Sequence, residues 1–584
     1  MTHKHKLSHY INIAKSLNIE EYERSIRIAL LGSFTLNGME ETLRVKCSED
    51  NIGCITYVGG YDQYNQEILD LQSNLYKFRP DLTFLILDTR SIFGKIYDSP
   101  YTISETERKS FVEKKISELS HMIKIFIEKS TSILVITNLS VPSYSPYGIY
   151  ETKVEYGLKD MISDFNTKIN SKIRNFESVY LYDFDGFVRK YGENNVFDFR
   201  QFFVGDIKVS LEYIPNLIHD FIGYIKAFLG LNKKCIVLDL DNTVWGGIIG
   251  EDGFEGIRLG DTPDGKAFVE FQKILLALHK RGIILAINSK NNMDDAIKVI
   301  KEHPNMILTE ENFSSIQINW NDKVSNMKKI ASELNIGLDS MAFFDDDPVN
   351  REYVKLSLPQ VLTVDLAHDA SNYVQDLMDM NDFHVLKITD EDTGRGKMYL
   401  DERRRKDFEK SSMDLEDFLK QLDIKILIKN ANEFTIPRIA QLTLKTNQFN
   451  LTTKRYQEGD IRELVNKKDY WVGCAQVEDK FGNSGITGVF IIKKDRTEWI
   501  IDSFLLSCRI MGRKIENGIL AHICQLAKQE GINAIKGTFI PTKRNIPCED
   551  FLSDFGFKKH DNDWIFSLSN SIKIPDHLRC SVEQ

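Results

Sequence analysis

The sequence predicts an α/β protein built of three domains. At 584 residues the chain is too long for a single core. In the first two parts, short apolar runs alternate with helical stretches, the pattern of parallel sheets with crossover helices. From about residue 424 strands and turns follow one another, which predicts an antiparallel meander within a mixed sheet.

Composition narrows the class of function. With 42% hydrophobic and 27% charged residues, the chain reads as a soluble globular protein. Its net charge of −10 argues against a nucleic-acid partner, and it suits an enzyme of small anions only where the site is locally positive. No stretch approaches ~20 uninterrupted apolar residues, so no membrane span is expected. Met1 to Lys6 is not followed by an apolar signal region. The eight cysteines (47, 54, 235, 474, 508, 524, 548 and 580) form no CxxC pair. Free thiols in a reducing cytoplasm are expected, rather than disulfides or a zinc site.

The first domain is expected over residues 1–228. Residues 8–25 read as a helix, and Ile26 to Leu31 as a strand running into Gly32 and Ser33. Further strands are expected at 82–87, 132–136 and 179–182, with helices at 104–128 and 150–175. Gly59 to Tyr64 reads as a structured loop without chemistry. Ser33 lies just past one strand and Asn138 just past another, which resembles the SGNH-hydrolase arrangement. A nucleophilic serine needs a histidine base. The Asp-x-x-His pair of that family has no counterpart here, since His219 has Asn216 three residues before it. A docking or otherwise non-catalytic domain on an SGNH-like scaffold is expected.

The second domain, 229–370, carries the densest chemistry. An apolar run from Cys235 to Leu238 ends in Asp239-Leu240-Asp241-Asn242-Thr243. Side chains alternate with period two, so Asp239 and Asp241 share one face of a strand end. One carboxylate can attack phosphorus while the other manages protons. Val244 to Gly253 reads as a glycine-rich hairpin or flap, and 265–281 as a helix. A second buried run, Ile283 to Asn288, ends in Ser289, Lys290 and Asn291, a hydroxyl, an ammonium and an amide suited to phosphate oxygens. The helix expected from Met293 could add its first amides to that anion site. Asn321-Asp322-Lys323 opens another helix, and Met341 to Phe344 ends in Asp345-Asp346-Asp347. Consecutive carboxylates at one tip repel each other unless a cation is held there. In open parallel sheets, sites gather at the carboxyl ends of strands.

The ordered set of Asp-x-Asp, Ser, Lys and Asp-Asp resembles the haloacid dehalogenase (HAD) superfamily. The stretches LDLDNTVWGGIIGEDG, NSKNN, NWNDK and FFDDDPVNRE are similar to the FkbH-like family of subfamily IIIC. That resemblance implies a Mg²⁺-dependent phosphatase coupled to glyceryl transfer. Such an enzyme converts 1,3-bisphosphoglycerate to a glyceryl thioester on an acyl carrier protein, for polyketide-type biosynthesis. It further implies Asp239 as nucleophile, Asp241 as acid/base and Ser289 as phosphate ligand. Lys323 is the stabilising lysine, with Lys290 a rival. Asp239, Asp241, Asp345 and Asp346 hold the metal, with Asp346 the preferred direct ligand.

Residues 371–423 read as a helical linker, and the charge run from Asp401 to Lys406 as a solvated face. The third domain, 424–570, shows strands at 424–428, 470–479, 485–493, 497–506 and 535–539, with helices at 436–446, 514–530 and 545–555. This order resembles the GNAT acyltransferase fold, and residues 571–584 read as a tail. Arg509-x-x-Gly512-x-Lys514 departs at its last position from that family's pyrophosphate loop. The phosphopantetheine arm of a carrier is therefore expected here rather than coenzyme A, with Arg509 and Arg513 as binding residues. A thioester product calls for a thiol. Cys235 is roughly 13 Å from Asp239 along a strand and reads as core. Cys508, at a strand end before a helix and beside Arg509 and Arg513, is the expected acyl acceptor.

The expected fold class is thus α/β with three domains: an SGNH-like parallel sheet, a HAD-like Rossmannoid sheet and a GNAT-like mixed domain. The expected partners are a carrier protein and a small phosphorylated three-carbon substrate, with no nucleic acid and no membrane. The alternatives are a phosphatase on another phosphoester with an independent acyltransferase domain, and a non-enzymatic carrier-docking scaffold.

Overall fold

The computed structural model describes residues 6–583, apart from positions 23, 390, 391, 393, 395, 397, 400, 403, 404, 406, 407, 409–413, 543, 562 and 571. The chain divides into two compact units, Met1–Ile225 and Lys226–Gln584.

The first unit holds a five-stranded parallel sheet of β1 (Ser25–Gly32), β2 (Gly53–Val58), β3 (Leu82–Ile86), β4 (Ile133–Thr137) and β5 (Val179–Tyr182). Their order is β2-β1-β3-β4-β5, which reverses between β1 and β3. The buried runs form because both faces of such a sheet are covered: all five residues of β3 are buried. The long helix Glu105–Lys129 begins at a capping box of Ser104 and Glu107. The expected helix 8–25 is Leu7–Ala14 followed by a separate 3₁₀ turn, Ile19–Glu21. Asn18 accepts from the Glu20 amide and starts that turn anew. The helix expected from 150 begins at Leu158, after Gly157, and strand β2 was not expected.

The second unit carries two sheets. The first contains β6 (Cys235–Leu238), β7 (Ile284–Ser289), β8 (Phe313–Ile318), β9 (Met341–Phe344) and β10 (Leu362–Thr363), all parallel, in the order β10-β9-β6-β7-β8. β6 is central and all four of its residues are buried. The expected flap is instead a helix, Ile249–Gly256, broken at Gly253 (φ 71°). Asp252, inside that helix, reaches back to accept from the Ile248 amide, which ties down the first turn.

The second sheet is mixed. It contains β11 (Ile424–Asn430), β12 (Phe449–Asn450), β13 (Tyr470–Asp479), β14 (Gly482–Lys494), β15 (Glu498–Leu506), β16 (Ala534–Gly537), β17 (Lys558–His560), β18 (Asp563–Ser567) and β19 (Leu578–Val582). β15 pairs β16 in parallel only from Glu498 to Ile500. Beyond that the edge of β15 is taken by β12, and Leu451 bridges the Phe504 carbonyl and the Ile540 amide. The expected tail supplies β19, which pairs with β11 in parallel. Residues 545–555 form a 3₁₀ turn, Ile546–Cys548, and a short helix, Phe551–Phe555.

The charge run expected to be solvated is partly core. Of its six positions, 403, 404 and 406 lie outside the described residues, but Asp401 and Arg405 are buried. Arg405 grips Asp479 through two bonds of 2.6 and 2.9 Å and also pairs with Glu402. Arg513 completes the network on Glu402 and Asp479. Sequence patterning reads these residues as a solvated helix face because their partners lie more than 70 positions away.

Removing one member of a buried ion network leaves its partners charged and unmatched. Asp479→Asn is therefore expected to destabilise the carboxy-terminal sheet by about 3 kcal/mol. Denaturant unfolding followed by tryptophan fluorescence checks this.

Candidate active site

The site is built at the carboxyl end of β6. The Asp239 amide bonds the Phe344 carbonyl at 2.9 Å and so extends the β6–β9 ladder by one residue. That places the Asp239 side chain where three strands end. Asn242 then adopts φ 51°, a conformation asparagine tolerates, and its side chain accepts from the Gly247 amide. Gly247 has φ 92°, and a Cβ there would lie 2.5 Å from the Asp252 carboxylate.

Lys323 opens the helix Lys323–Leu334, capped by Asp322. Its ammonium lies 2.9 Å from Asp239 Oδ1 and 3.0 Å from Asp345 Oδ2, and it donates to the Asn288 carbonyl at 2.8 Å. Lys323 is 1% exposed and Asp345 0% exposed, so this is a buried charge cluster. Burial works against the Lys323 charge, but the two carboxylates outweigh it and hold its pKa above the usual lysine value. Asn288 fixes the lysine from below, donating to the Lys323 carbonyl and accepting from Asn326.

Asp241 faces a different set of partners. It accepts from Trp245 Nε1 (2.9 Å), the Ile249 amide (3.2 Å) and Asn291 Nδ2 (3.0 Å). Burial raises its pKa, with those three donors opposing. A carboxyl that resists ionisation is suited to proton donation. Asn291 also donates to Ser289 Oγ at 3.2 Å, so Ser289, Asn291 and Asp241 form one chain of contacts.

Asp239, Asp345 and Asp346 offer oxygens within 4.8 Å of one another, a group able to hold a metal ion. Burial and the Asp239 charge push the Asp345 carboxyl up to about 6, with Lys323 pulling the other way. Burial and the charges of Asp239 and Asp345 likewise push Asp346 up to about 6. Asp241, also expected as a metal ligand, is not in this group: its carboxylate is turned to Trp245, Ile249 and Asn291.

Other expectations meet the structure unevenly. Lys290 is exposed, and Lys323 alone of the two lysines reaches the carboxylates. The Asp294 amide, at the start of the Met293–Glu302 helix, is bonded to the Asn292 side chain, and Asp294 and Asp295 occupy its first turn. That helix start therefore opposes an anion. Cys235 is fully buried, which pushes its thiol pKa up. Cys508 is half-buried in the 3₁₀ turn Cys508–Ile510, and its carbonyl accepts from Asn335. Arg509 donates to Ser507 Oγ and contacts Met398. Arg513, also expected to bind substrate, has its guanidinium paired with Glu402 and Asp479.

Thr243, Asn288, Arg351 and Tyr373 were not foreseen. Thr243 Oγ1 accepts from the Asp346 amide at 3.2 Å, Arg351 donates to the carbonyls of Asp345 and Asp346, and Tyr373 donates to the Asn242 carbonyl. Arg351, six residues after Asp345, was visible in the motif, and only its backbone role was hidden. In the first unit, Ser33 is buried and its hydroxyl accepts from the Asp88 amide at 2.8 Å. Asn138 is bound to Asp183 and to the Asp185 amide. These contacts give both residues a structural role.

A carboxyl whose pKa is raised stabilises the fold in its neutral form. That contribution is complete below the ordinary value of 3.8 and is lost as pH rises through about 6. Asp346 is half-buried, so the effect is discounted to on the order of 1 kcal/mol. In chelator, Asp346→Asn is expected to be more stable than the parent by that amount at pH 7.5 and equal to it at pH 4. Denaturant titrations at the two pH values read the difference.

Comparison with known proteins bears on this geometry. The family described as FkbH, N-terminal domain, matches residues 27–226. The crystal structure of the N-terminal part of BF1531 from Bacteroides fragilis, containing a phosphatase domain complexed with Mg, is similar to this chain. The two share 28% identity over 66% of this chain and 100% of that one, with a TM-score of 0.61. Two smaller proteins also align at TM-scores of 0.20. The ribosomal-protein-S18-alanine N-acetyltransferase of Escherichia coli shares 10% identity over 25% of this chain and 96% of its own. A GNAT-family acetyltransferase of Staphylococcus aureus Mu50 shares 14% over 24% and 99%. No curated protein matches the chain. Residues 27–226 thus match the FkbH N-terminal domain model, and the α/β sheet that follows, in the region similar to the BF1531 fragment, carries Asp239, Asp241, Ser289, Lys323 and Asp345 at or near its strand ends.

Proposed function

We propose that the central site is a Mg²⁺-dependent phosphatase centre, and that the chain couples phosphate removal to transfer of a glyceryl unit onto the phosphopantetheine arm of an acyl carrier protein. The buried cluster of Lys323 with Asp239 and Asp345, beside Asp346, carries the phosphatase part. The donor set fits the metal: three carboxylates converge, and two resist ionisation while unmatched. The Mg found with the BF1531 phosphatase domain supports the same choice. When bound, the cation supplies positive charge to the carboxylates and to the transferring phosphoryl group.

The chain's own groups divide the work. Asp239 attacks phosphorus and becomes an aspartyl phosphate, while Asp241 gives its proton to the departing oxygen. Asp241 then takes a proton from the water that hydrolyses the intermediate. Ser289 and Asn291 hold phosphate oxygens, and Lys323 offsets charge on Asp239.

For the transfer part, the substrate is 1,3-bisphosphoglycerate. A Cys508 thiolate attacks the acyl carbon, the S–C bond forms, and the C–O bond to phosphate breaks with phosphate taking the electron pair. Thioester exchange then passes the acyl group to the carrier thiol. Cys508 touches Asn335, which follows the 12-residue helix that Lys323 begins. At ~1.5 Å per residue that is roughly 18 Å from the carboxylates. On this reading, phosphate hydrolysis and thioester formation occupy separate places. The same separation favours a second reading, a phosphatase on another phosphoester with an independent carboxy-terminal domain.

Asp239→Asn is expected to lower phosphate release from p-nitrophenyl phosphate by at least about a thousandfold, read by a colorimetric assay. A carrier protein given 1,3-bisphosphoglycerate and the intact chain is expected to gain the glyceryl mass. Phosphatase activity with no mass gain would remove the transfer reading and leave the second. Cys508→Ala is expected to lose the covalent acyl adduct seen by intact mass. An undiminished adduct assigns the acyl group elsewhere.

A further inference from the structure

The segments that follow β6, β7, β8 and β9 carry the phosphatase site, and each also exposes a large apolar side chain. These are Ile248 (40% exposed), Met293 (44%), Trp320 (76%), and Val349 (72%) with Tyr353 (47%). Each stands close in the chain to a group that holds the site. Ile248 precedes Ile249, whose amide binds Asp241, and Met293 follows two residues after Asn291, which binds Asp241 as well. Trp320 follows Asn319, whose amide bonds the Ser289 carbonyl, and stands three residues before Lys323. Val349 precedes Asn350, which donates to Asp345, and the Tyr353 hydroxyl donates to Asp322, the cap of the Lys323 helix. Exposed apolar residues scattered singly are ordinary, but a set gathered at one sheet edge around a reactive centre marks an interaction surface. Tryptophan and tyrosine carry much of the energy at such surfaces.

The charge of the same segments is uneven. Glu251, Asp252, Asp294, Asp295 and Asp322 are exposed, in or beside the first turns of the helices that follow β6, β7 and β8. Among the described residues none of the five is paired with a lysine or arginine. Over 239–252, 290–296 and 319–326, Lys290 is the one exposed cation. Acidic first turns are ordinary helix chemistry, since they complement the positive end of the helix dipole. Here they also set the field at the rim of the site. A small free phosphoester approaches against that field, whereas one whose own flanks are cationic and apolar is drawn in by it.

We propose that the phosphatase centre takes its phosphoester from a polypeptide: a phosphorylated side chain flanked by lysine or arginine and by an apolar residue. Trp320 covers the apolar flank, and Asp294 with Asp295 meets the cationic one. The proposal rests on the phosphatase part of the proposed function and supplies the phosphoester of its second reading. Asp239 attacks phosphorus, and the P–O bond to the side-chain oxygen breaks. That oxygen keeps the electron pair and takes the Asp241 proton, and water then releases phosphate from Asp239.

The test gives the full-length chain, with Mg²⁺, synthetic peptides bearing phosphoserine or phosphotyrosine beside a leucine, flanked either by arginines or by glutamates. The arginine-flanked peptides are expected to show a kcat/KM for phosphate release higher by at least about tenfold, carried by KM rather than kcat. Fluorescence anisotropy of labelled peptides on the Asp239→Asn chain is expected to rank them in the same order without turnover. Trp320→Ala, and separately Asp294→Asn with Asp295→Asn, are each expected to weaken binding of the arginine-flanked peptide by at least about fivefold, with melting as in the parent. The paired charge variant is expected to hydrolyse p-nitrophenyl phosphate as the parent does. Hydrolysis of p-nitrophenyl phosphate with no preference among the peptides overturns the proposal and leaves the phosphatase reading standing. A preference for the glutamate-flanked peptides also overturns it, and assigns the surface to an acidic partner. So does a preference that neither substitution reduces. No turnover of p-nitrophenyl phosphate or of any peptide overturns the phosphatase reading, and the proposal with it.

Discussion

A single buried ammonium holds the central domain's site together. Lys323 sits between Asp239, at the end of β6, and Asp345, at the end of β9, and reaches the Asn288 carbonyl in β7. Three strand ends therefore converge on one charge. Burying an ion is costly, and the cost is met only when partners are fixed in good geometry. Much of the surrounding architecture serves that end: Asn288 clamps the helix that starts at Lys323, Thr243 and Arg351 pin the backbone of the acidic tip, and Tyr373 secures the turn after Asp241. The two carboxylates satisfied by Lys323 still leave excess negative charge beside Asp346, and that excess is what a cation would answer.

The remainder of the second unit obeys a similar constraint at a different place. Arg405, Glu402, Asp479 and Arg513 share a buried network that ties residues before the mixed sheet to the turn after β13 and to the loop after β15. The chain's own residues Phe449 to Leu451 take the edge of β15 at Phe504 to Leu506, beyond its short pairing with β16. Cys508 lines a cavity at the amino ends of β6 and β9.

Much of the fold was readable in advance because it rests on buried parallel strands, which appear as continuous apolar runs. β3 and β9 are of this kind, fully buried over Leu82–Ile86 and Met341–Phe344. β2 escaped because its outer residues are only partly buried, and its run Gly53–Val58 lacks the same contrast. β8 escaped because Ser314, Ser315 and Gln317 are buried polar residues, kept there in part by Glu333. The acidic helix after Gly247 differs from the expected hairpin because its glycines suggest turns, whereas Asp252 ties its first turn back to the Ile248 amide.

Of the candidate site, the sequence by itself determined which groups stand at strand ends: the spacing of Asp239 and Asp241, Ser289 after an apolar run, and Asp345 with Asp346 after another. Period-two alternation and the rule that sites gather at the carboxyl ends of parallel strands suffice for that. Only the tertiary structure decided between Lys323 and Lys290, turned Asp241 away from the metal group and toward Trp245 and Asn291, and consumed Arg513 in ion pairs. It alone set Cys508 at the far end of the helix from Asp239. Those outcomes depend on distances between residues remote in sequence, and charge energies change steeply over a few ångströms in a buried site, which local patterning does not encode.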